Sequence, residues 1–186
     1  MTMAFQHQGD AILLAGVCKD ELGGSEYLFV EHGLEEGRPP QLDLAQELNV
    51  QRLTLAAIRK GLVKSAHDCS DGGLAVALAE CCLAGNLGAH VDLPETVEAS
   101  PNTRLDAVLF GETQSRVVLS AAPESLPLLQ EMARRAGVTL SYLGSVGGDK
   151  LTIGDNRAGV LKPVLNIPVH ELNWAYRGAI ARLMNQ

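Results

Sequence analysis

The residues best suited to chemistry lie in one short stretch, from His67 to Gly73 (HDCSDGG). It falls between a predicted strand and a strongly apolar helix, whose first backbone N–H groups have no partner within the helix. Two adjacent glycines permit positive φ angles and close approach of a ligand. Free N–H groups at the positive end of a helix dipole attract anions such as phosphate. The stretch therefore predicts an anion-facing turn made of Asp68, Ser70, Asp71, Gly72 and Gly73.

The two carboxylates of this stretch leave a second interpretation open. Asp68 and Asp71 would repel a bare phosphate, so they favour an accompanying cation, or a role for Asp71 as the cap of the helix. The alternative is a tight strand-to-helix turn capped by Ser70 or Asp71, with no ligand at all.

A second polar cluster runs from Gly111 to Arg116 (GETQSR), directly before a predicted strand. Loops at the mouths of strands often carry binding residues, so Glu112, Thr113 and Gln114 are candidate ligand contacts. The alternative is an exposed Glu112–Arg116 ion pair of little energetic weight. A weaker candidate, Gly23 to Tyr27 (GGSEY), is explained fully by a capped turn.

These segments need strands and helices to position them. Strands are predicted over residues 11–17, 62–68, 88–93 and 115–121, and a hairpin over 138–146 and 150–153 around Gly147 to Asp149. Helices are predicted from Ser25 to Gly33, from Asp43 to Gly61, over 74–83 and 123–136, and from Pro168 to Met184. Residues 104–110 fit either element.

The helix that Asp43 caps has Leu44, Leu48, Leu55 and Ile58 among its apolar positions. A polar loop is expected between 154 and Pro168. Strands and helices mix without strict alternation, which predicts an α+β fold: a three-layer α/β/α domain with a mixed β-sheet.

Composition narrows the classes of function. The chain has 186 residues, a net charge of -7 and no run of Lys or Arg, so nucleic acid and anionic membranes are not expected partners. No apolar stretch is long enough to span a membrane, and residues 1–5 lack the features of a signal peptide, so a cytoplasmic protein is expected.

The cysteines and histidines do not predict a metal site. The four cysteines, Cys18, Cys69, Cys81 and Cys82, form no C-x-x-C pair, and no two of the five histidines have metal-ligand spacing. Reduced, buried thiols are expected instead. The chain also lacks a Walker loop and a dinucleotide-binding glycine pattern. No catalytic residue and no metal ligand is therefore predicted.

The motifs together resemble the last domain of the phosphoribosylformylglycinamidine synthase family. The resemblance is carried in order by residues 23–28 (GGSEYL), 39–43 (PPQLD), 65–75 (SAHDCSDGGLA), 78–80 (LAE) and 110–118 (FGETQSRVV). Cys69 departs from the family, which commonly has an aliphatic residue there. Phe5 to Leu14 resembles the join from a preceding domain, so residues 1–10 are expected to be a remnant of that join and 11–186 the domain itself.

The resemblance implies a C-terminal domain of the aminoimidazole-ribonucleotide-synthetase-like superfamily. The full enzyme of the resembled family uses ATP and Mg²⁺ to convert formylglycinamide ribonucleotide into its amidine, with ammonia from a glutaminase partner. The catalytic histidine and metal-binding acids belong mainly to N-terminal-type domains. By this resemblance the preceding domain is a partner, Glu112, Thr113 and Gln114 mark a nucleotide-facing edge, and the domain alone is inactive and holds no nucleotide tightly.

Two alternatives stay open at this point. One is the C-terminal domain of a sister enzyme, such as selenophosphate synthetase, thiamine-monophosphate kinase or a hydrogenase maturation protein. The other is a non-catalytic module that associates with itself through an apolar face.

Overall fold

A computed structural model describes residues 1–98, 100, 103–179 and 184. Its centre is a seven-stranded sheet. The strands are β1 (Ala11–Ala15), β2 (Ser65–Asp68), β3 (Ala89–Leu93), β4 (Val117–Ala121), β5 (Leu140–Val146), β6 (Lys150–Asp155) and β7 (Lys162–Pro168). They lie in the order β2-β4-β1-β5-β3-β6-β7, and all neighbours are antiparallel except β3 and β6, which are parallel.

Helices cover both faces of this sheet. They are α1 (Glu26–His32), α2 (Leu44–Arg59), α3 (Gly73–Gly85), α4 (Leu105–Phe110), α5 (Leu126–Ala136) and α6 (Val169–Arg177), with 3-10 turns at Glu95–Val97 and Pro123–Ser125. Side chains alternate along a strand, so Ile12 and Leu14 of β1 join the core under α3, α4 and α6, while Leu13 and Ala15 join the core under α2 and α5. The predicted α+β, three-layer α/β/α fold with a mixed sheet is confirmed.

The caps predicted for the first two helices are confirmed. The Ser25 side chain accepts a hydrogen bond from the Leu28 N–H, and Gly33 ends α1 with a left-handed φ of 66°. Asp43 accepts hydrogen bonds from the N–H groups of Ala45 and Gln46 at the start of α2. Of residues 104–110, which fitted either element, Leu105–Phe110 form α4 and Arg104 precedes it as the cap residue.

The predicted hairpin of β5 and β6 is wrong, because β3 lies between these two strands. The turn after β5 wraps around Gly88: the Gly147 N–H donates to the Gly88 carbonyl at 2.8 Å, and the Gly88 N–H donates to the Gly148 carbonyl at 2.9 Å. A side chain at position 88 would meet the Lys150 backbone. Strand β3 therefore starts between β5 and β6 and pairs with both.

The predicted loop before Pro168 is also wrong in part, since residues 162–168 form the edge strand β7. Most of its side chains are exposed, and Pro163 and Pro168 weaken the strand signal, as prolines do on sheet edges. Helix α6 begins at Val169, with Pro168 at its cap. The predicted extension of this helix to Met184 falls partly outside the described residues.

Most of the apolar residues named above for α2 do not face the sheet. Leu44, Leu48 and Leu55 are 74%, 43% and 46% exposed, whereas the residues buried against the sheet are Val50, Leu53 and Ala57. Ile58 does pack against this core, half-buried. The helix carries apolar residues on two opposite sides, and periodicity alone does not say which side meets the sheet.

No helix among the described residues combines the length and the apolar character that crossing a membrane would take.

Candidate functional site

A groove with a cavity volume of about 250 Å³ lies at the β2 edge of the sheet. Its walls come from α2, the turn after β2 and the loop before β4. The polar and charged residues that line it are Glu47, Gln51, Asp68, Ser70, Asp71, Glu112, Gln114, Ser115 and Arg116. We call this the edge groove. Asp68 at the end of β2 pairs with Val117 at the start of β4, which brings the two predicted segments side by side.

Five of the eight residues predicted to face a nucleotide line the edge groove: Asp68, Ser70, Asp71, Glu112 and Gln114. Gly72, Gly73 and Thr113 do not. Thr113 is buried, and its hydroxyl accepts a hydrogen bond from the Lys19 N–H at 3.2 Å. It therefore holds the loop in place from behind the groove.

The expectation that the double-glycine turn offers free N–H donors is wrong for both glycines. The Gly72 N–H donates to Glu112 Oε1 at 2.9 Å, and the Gly73 N–H donates to the Ser70 carbonyl at 3.0 Å. The same Glu112 oxygen also accepts from the N–H of Glu26, at 2.9 Å. A carboxylate of the chain itself thus occupies the position predicted for an anionic ligand.

The alternative expectation, that Ser70 or Asp71 caps α3, is wrong as well. Gly72 is the cap residue of α3, with φ of 76°, and no side chain bonds to the first turn there. The Ser70 hydroxyl instead donates to Asp68 Oδ2 at 2.5 Å. This hydrogen bond, opposed by partial desolvation, lowers the pKa of Asp68, so the carboxylate is charged at neutral pH.

The second glycine of the pair, Gly73, is required by close packing of two backbones. Gly73 has φ of 69°, and a Cβ there would lie 2.5 Å from the Gly111 carbonyl oxygen. The turn after β2 and the loop before β4 are therefore in direct backbone contact and form one wall of the edge groove.

Arg116 is the internal support of that wall. It is only 2% exposed, and it donates to the Gly111 carbonyl at 2.6 Å, to the Thr113 carbonyl at 2.7 Å and to Cys18 Sγ at 3.2 Å. The alternative of an exposed Glu112–Arg116 pair is thus wrong. The sequence contains no signal for this role, because the three acceptors come together only in the folded chain.

Ser115 joins the same loop to α2. Its hydroxyl donates to Glu47 Oε2 at 2.6 Å, and its φ is 63°, which is unusual for a residue other than glycine. Gly16 makes room for it, since a Cβ there would lie 2.2 Å from the Ser115 carbonyl oxygen. Sequence reasoning missed Glu47, which resembles any polar residue of an exposed helix face.

The lining of the edge groove is acidic. Glu47, Asp68, Asp71 and Glu112 contribute carboxylates, while Arg116 is buried and already satisfied. Such oxygens suit Mg²⁺, but within the described part of the chain no three or more His, Cys, Asp or Glu side chains are placed to hold a metal ion. The groove by itself does not fit the phosphates of a nucleotide, because Arg116, the cation among its lining residues, is buried and its donors already serve the chain's own acceptors.

The cysteines do not supply a nucleophile. All four are free and buried, as predicted. Burial raises the pKa of the Cys69 and Cys82 thiols to about 12, and it raises the pKa of Cys81 further. Burial also raises the pKa of Cys18, although the hydrogen bond from Arg116 opposes it.

Fold and site together define an α/β/α domain with an acidic groove at one edge of its sheet. The chain belongs to the family described as AIR synthase related protein, C-terminal domain, whose family model matches residues 7–155. The resemblance predicted from the motifs is confirmed.

Curated relatives are synthase subunits. The chain is 43% identical over 189 residues to the phosphoribosylformylglycinamidine synthase subunit PurL of Anaeromyxobacter sp. (strain Fw109-5), covering 100% of the chain and 24% of that protein. It is 42% identical over 182 residues to the subunit of the same name from Moorella thermoacetica, with 98% and 24% covered. The chain thus spans about a quarter of the length of these relatives.

Solved structures share the fold. T. maritima PurL complexed with FGAR aligns with a TM-score of 0.76 and 22% identity, over 92% of this chain and 29% of that one. The hydrogenase maturation protein HypE in complex with ATP aligns with a TM-score of 0.62 and 17% identity, over 89% of this chain and 53% of that one.

Proposed function

We propose that this chain is the C-terminal-type domain of a cytoplasmic ATP-dependent ligase that converts formylglycinamide ribonucleotide to formylglycinamidine ribonucleotide in purine biosynthesis. The observation that carries the proposal is 43% identity along the whole chain to a phosphoribosylformylglycinamidine synthase subunit. The complete enzyme would use ATP and Mg²⁺ and take ammonia from a glutaminase partner. Residues 1–10, with Phe5 buried in the core, would form the join from a preceding domain.

The domain's role in this proposal is to form one wall of a nucleotide-facing cleft. Asp68, Ser70, Asp71 and Gln114 face the cleft, while Gly72, Gly73, Glu112 and Thr113 hold the wall in shape. The acidic lining would accept a nucleotide only together with cations held by the adjoining N-terminal-type domain. We assign no catalytic residue to this chain, and the chain alone is proposed to be inactive.

A sister enzyme of the same superfamily is the less supported alternative. The likeness to HypE, at 17% identity, concerns the fold alone. The ATP and FGAR complexes of T. maritima PurL describe the ligands of that protein, at about a fifth sequence identity to this chain. Identity above 40% over the full chain favours the synthase.

A chimaera tests the proposal. The matching quarter of the Anaeromyxobacter subunit is replaced by this chain, and amidine formation is measured with ATP, Mg²⁺ and ammonia. We expect activity within about tenfold of the parent subunit, which corresponds to a loss of at most about 1.4 kcal/mol of transition-state stabilisation. We expect none from this chain alone. A folded but inactive chimaera, or turnover by the isolated chain, would contradict the proposal.

A further inference from the structure

Helix α2 carries a row of leucines that nothing in the described structure covers. At about 100° per residue, Leu44, Leu48 and Leu55 fall within an arc of roughly 40°. The buried residues Val50 and Leu53 lie on the opposite side of the helix. We call the three exposed side chains the leucine row. Leu44 is 74% exposed and the other two more than 40%.

The exposure continues along the chain on the N-terminal side of the row. Phe29, Val30, Leu34 and Leu42 are also exposed, and α1 has no buried residue among its seven. Single apolar side chains on a surface need no explanation, whereas the leucine row places three of them on one side of one helix, which is the pattern of an interaction surface.

The leucine row is connected to the edge groove. Glu47 and Gln51, on the same helix, line that groove, and Glu47 accepts the hydrogen bond from Ser115. A partner packed on the row would therefore touch the rim of the groove and close its open side.

The surroundings of the row indicate what kind of surface covers it. Arg52 and Arg59 are exposed on the same side of α2, and neither forms an ion pair within the described residues, although the chain as a whole has a net charge of -7. A complementary surface is apolar at its centre and carries carboxylates at its rim.

The lengths of the relatives indicate where that surface comes from. This fold covers 24% of the curated synthase subunits and 53% of HypE. In each of them roughly as much polypeptide again, or more, accompanies the domain in the same chain. A neighbour within one polypeptide is favoured over a second copy, because the linkage keeps it at high local concentration.

We propose that the leucine row is the surface on which another domain of the same synthase polypeptide packs, through an apolar patch rimmed by carboxylates, and that this contact closes the edge groove. The proposal rests on the proposed function in one respect: it requires that the chain work as part of a longer synthase.

Thiol labelling tests it sharply, because the four native cysteines are buried. Leu48→Cys places one accessible thiol in the row. Leu161→Cys is the matched control, since Leu161 is 52% exposed at the opposite edge of the sheet, beside β6 and β7. Maleimide labelling at each position is followed by peptide mass spectrometry in the isolated chain and in the chimaera described above.

We expect labelling at position 48 to be at least about tenfold slower in the chimaera than in the isolated chain, and labelling at 161 to change less than about twofold. Equal labelling at position 48 in both proteins would overturn the proposal. Equal slowing at both positions would also overturn it, because the protection would not belong to the row.

Two further measurements separate the remaining outcomes. Light scattering should show that the isolated chain is a monomer. A dimer that the double change Leu44→Gln/Leu48→Gln dissociates would instead assign the leucine row to a second copy of the chain.

The surface change Arg52→Glu should speed labelling at position 48 in the chimaera at least about threefold at low salt. The absence of this effect would overturn the proposal that carboxylates surround the partner's apolar patch. An inactive chimaera with position 48 protected counts against the proposed function alone, whereas an active one with position 48 unprotected counts against this contact alone.

Discussion

At the scale of single residues, one carboxylate oxygen organises the candidate site. Glu112 Oε1 accepts hydrogen bonds from Gly72 of the turn after β2 and from Glu26 at the start of α1. Three chain segments far apart in sequence thus meet at one atom. Hydrogen bonds to a charged acceptor are stronger than those between neutral groups, so these two bonds stabilise the wall of the edge groove.

We expect Glu112→Ala to speed amide hydrogen exchange at Gly72 and Glu26 by about 5- to 30-fold, which corresponds to about 1–2 kcal/mol of lost local stability. Glu112→Gln keeps a carbonyl acceptor and should restore part of the protection. Exchange measured by NMR checks both variants. Unchanged rates at these two amides in Glu112→Ala would show that the contact does not form in solution.

Arg116 is the second residue on which the wall depends. Lysine cannot reproduce its fork of donors to two carbonyls, so Arg116→Lys leaves buried acceptors unpaired. We expect a loss of about 2–4 kcal/mol in the free energy of unfolding, measured by urea denaturation. Arg135→Lys, on the exposed face of α5, is the control and should stay within about 0.5 kcal/mol of the parent. Equal effects of the two changes would refute the buried role.

At the scale of elements, the turn after β2 and the loop before β4 act as one unit because their backbones touch. The glycines at positions 72 and 73 both have left-handed φ angles, but only part of the need for glycine is conformational. The remaining part is the absence of space for a Cβ at Gly73.

A pair of substitutions separates these two contributions. Gly137→Ala introduces only left-handed strain, because φ is 65° and nothing lies within 4 Å of the new Cβ, so about 1 kcal/mol should be lost. Gly73→Ala adds a clash with the Gly111 carbonyl and should cost about 3 kcal/mol or more. Thermal unfolding of the two variants measures the difference. Similar losses of stability in the two variants would mean that the turn and the loop can move apart at little energetic cost.

At the scale of the whole molecule, a half-buried arginine, Arg157, connects the segment between β3 and α4 to the end of the sheet strand β6. Arg157 donates to Asp155 at the end of β6, to Glu98 at 3.0 Å and to the Thr103 carbonyl at 2.7 Å. The hydrogen bond from Arg157 lowers the pKa of Asp155 below its ordinary value. Ionised Asp155 is therefore favoured more in the folded than in the unfolded chain.

This difference predicts an acid dependence of stability. Because the folded pKa is the lower one, the contribution of Asp155 is complete above its unfolded pKa of about 4 and is lost as the pH falls through the folded value. Asp155→Asn should be less stable than the parent by about 1–3 kcal/mol at pH 7, with the gap narrowing toward pH 3. Urea denaturation at several pH values measures this gap.

The control for this experiment is Glu124→Gln, at an exposed carboxylate of the Pro123–Ser125 turn. Its free energy of unfolding should stay within about 0.5 kcal/mol of the parent's at each pH. A constant gap for Asp155→Asn between pH 7 and pH 3 would exclude the proposed link to Arg157.

The sequence by itself determined those features that depend only on residues close together in the chain. Ser25, Gly33 and Asp43 were predicted as helix ends because a cap satisfies N–H or carbonyl groups within four residues of itself. The α+β class followed from the mixture of strand and helix patterns, and the family followed from motifs in a fixed order. The buried, unreactive cysteines followed from composition and spacing.

Only the tertiary structure decided what depends on distant parts of the chain. The place of β3 between β5 and β6, the side of α2 that meets the sheet, and the acceptors of Arg116 all involve partners remote in sequence. The donors of the double-glycine turn were predicted to be free, yet the Gly73 N–H finds a local acceptor in the Ser70 carbonyl. The Gly72 N–H is satisfied by Glu112, forty positions away. The local sequence shows which backbone groups need hydrogen-bond partners. Which distant group supplies the partner depends on how the sheet and its helices pack together.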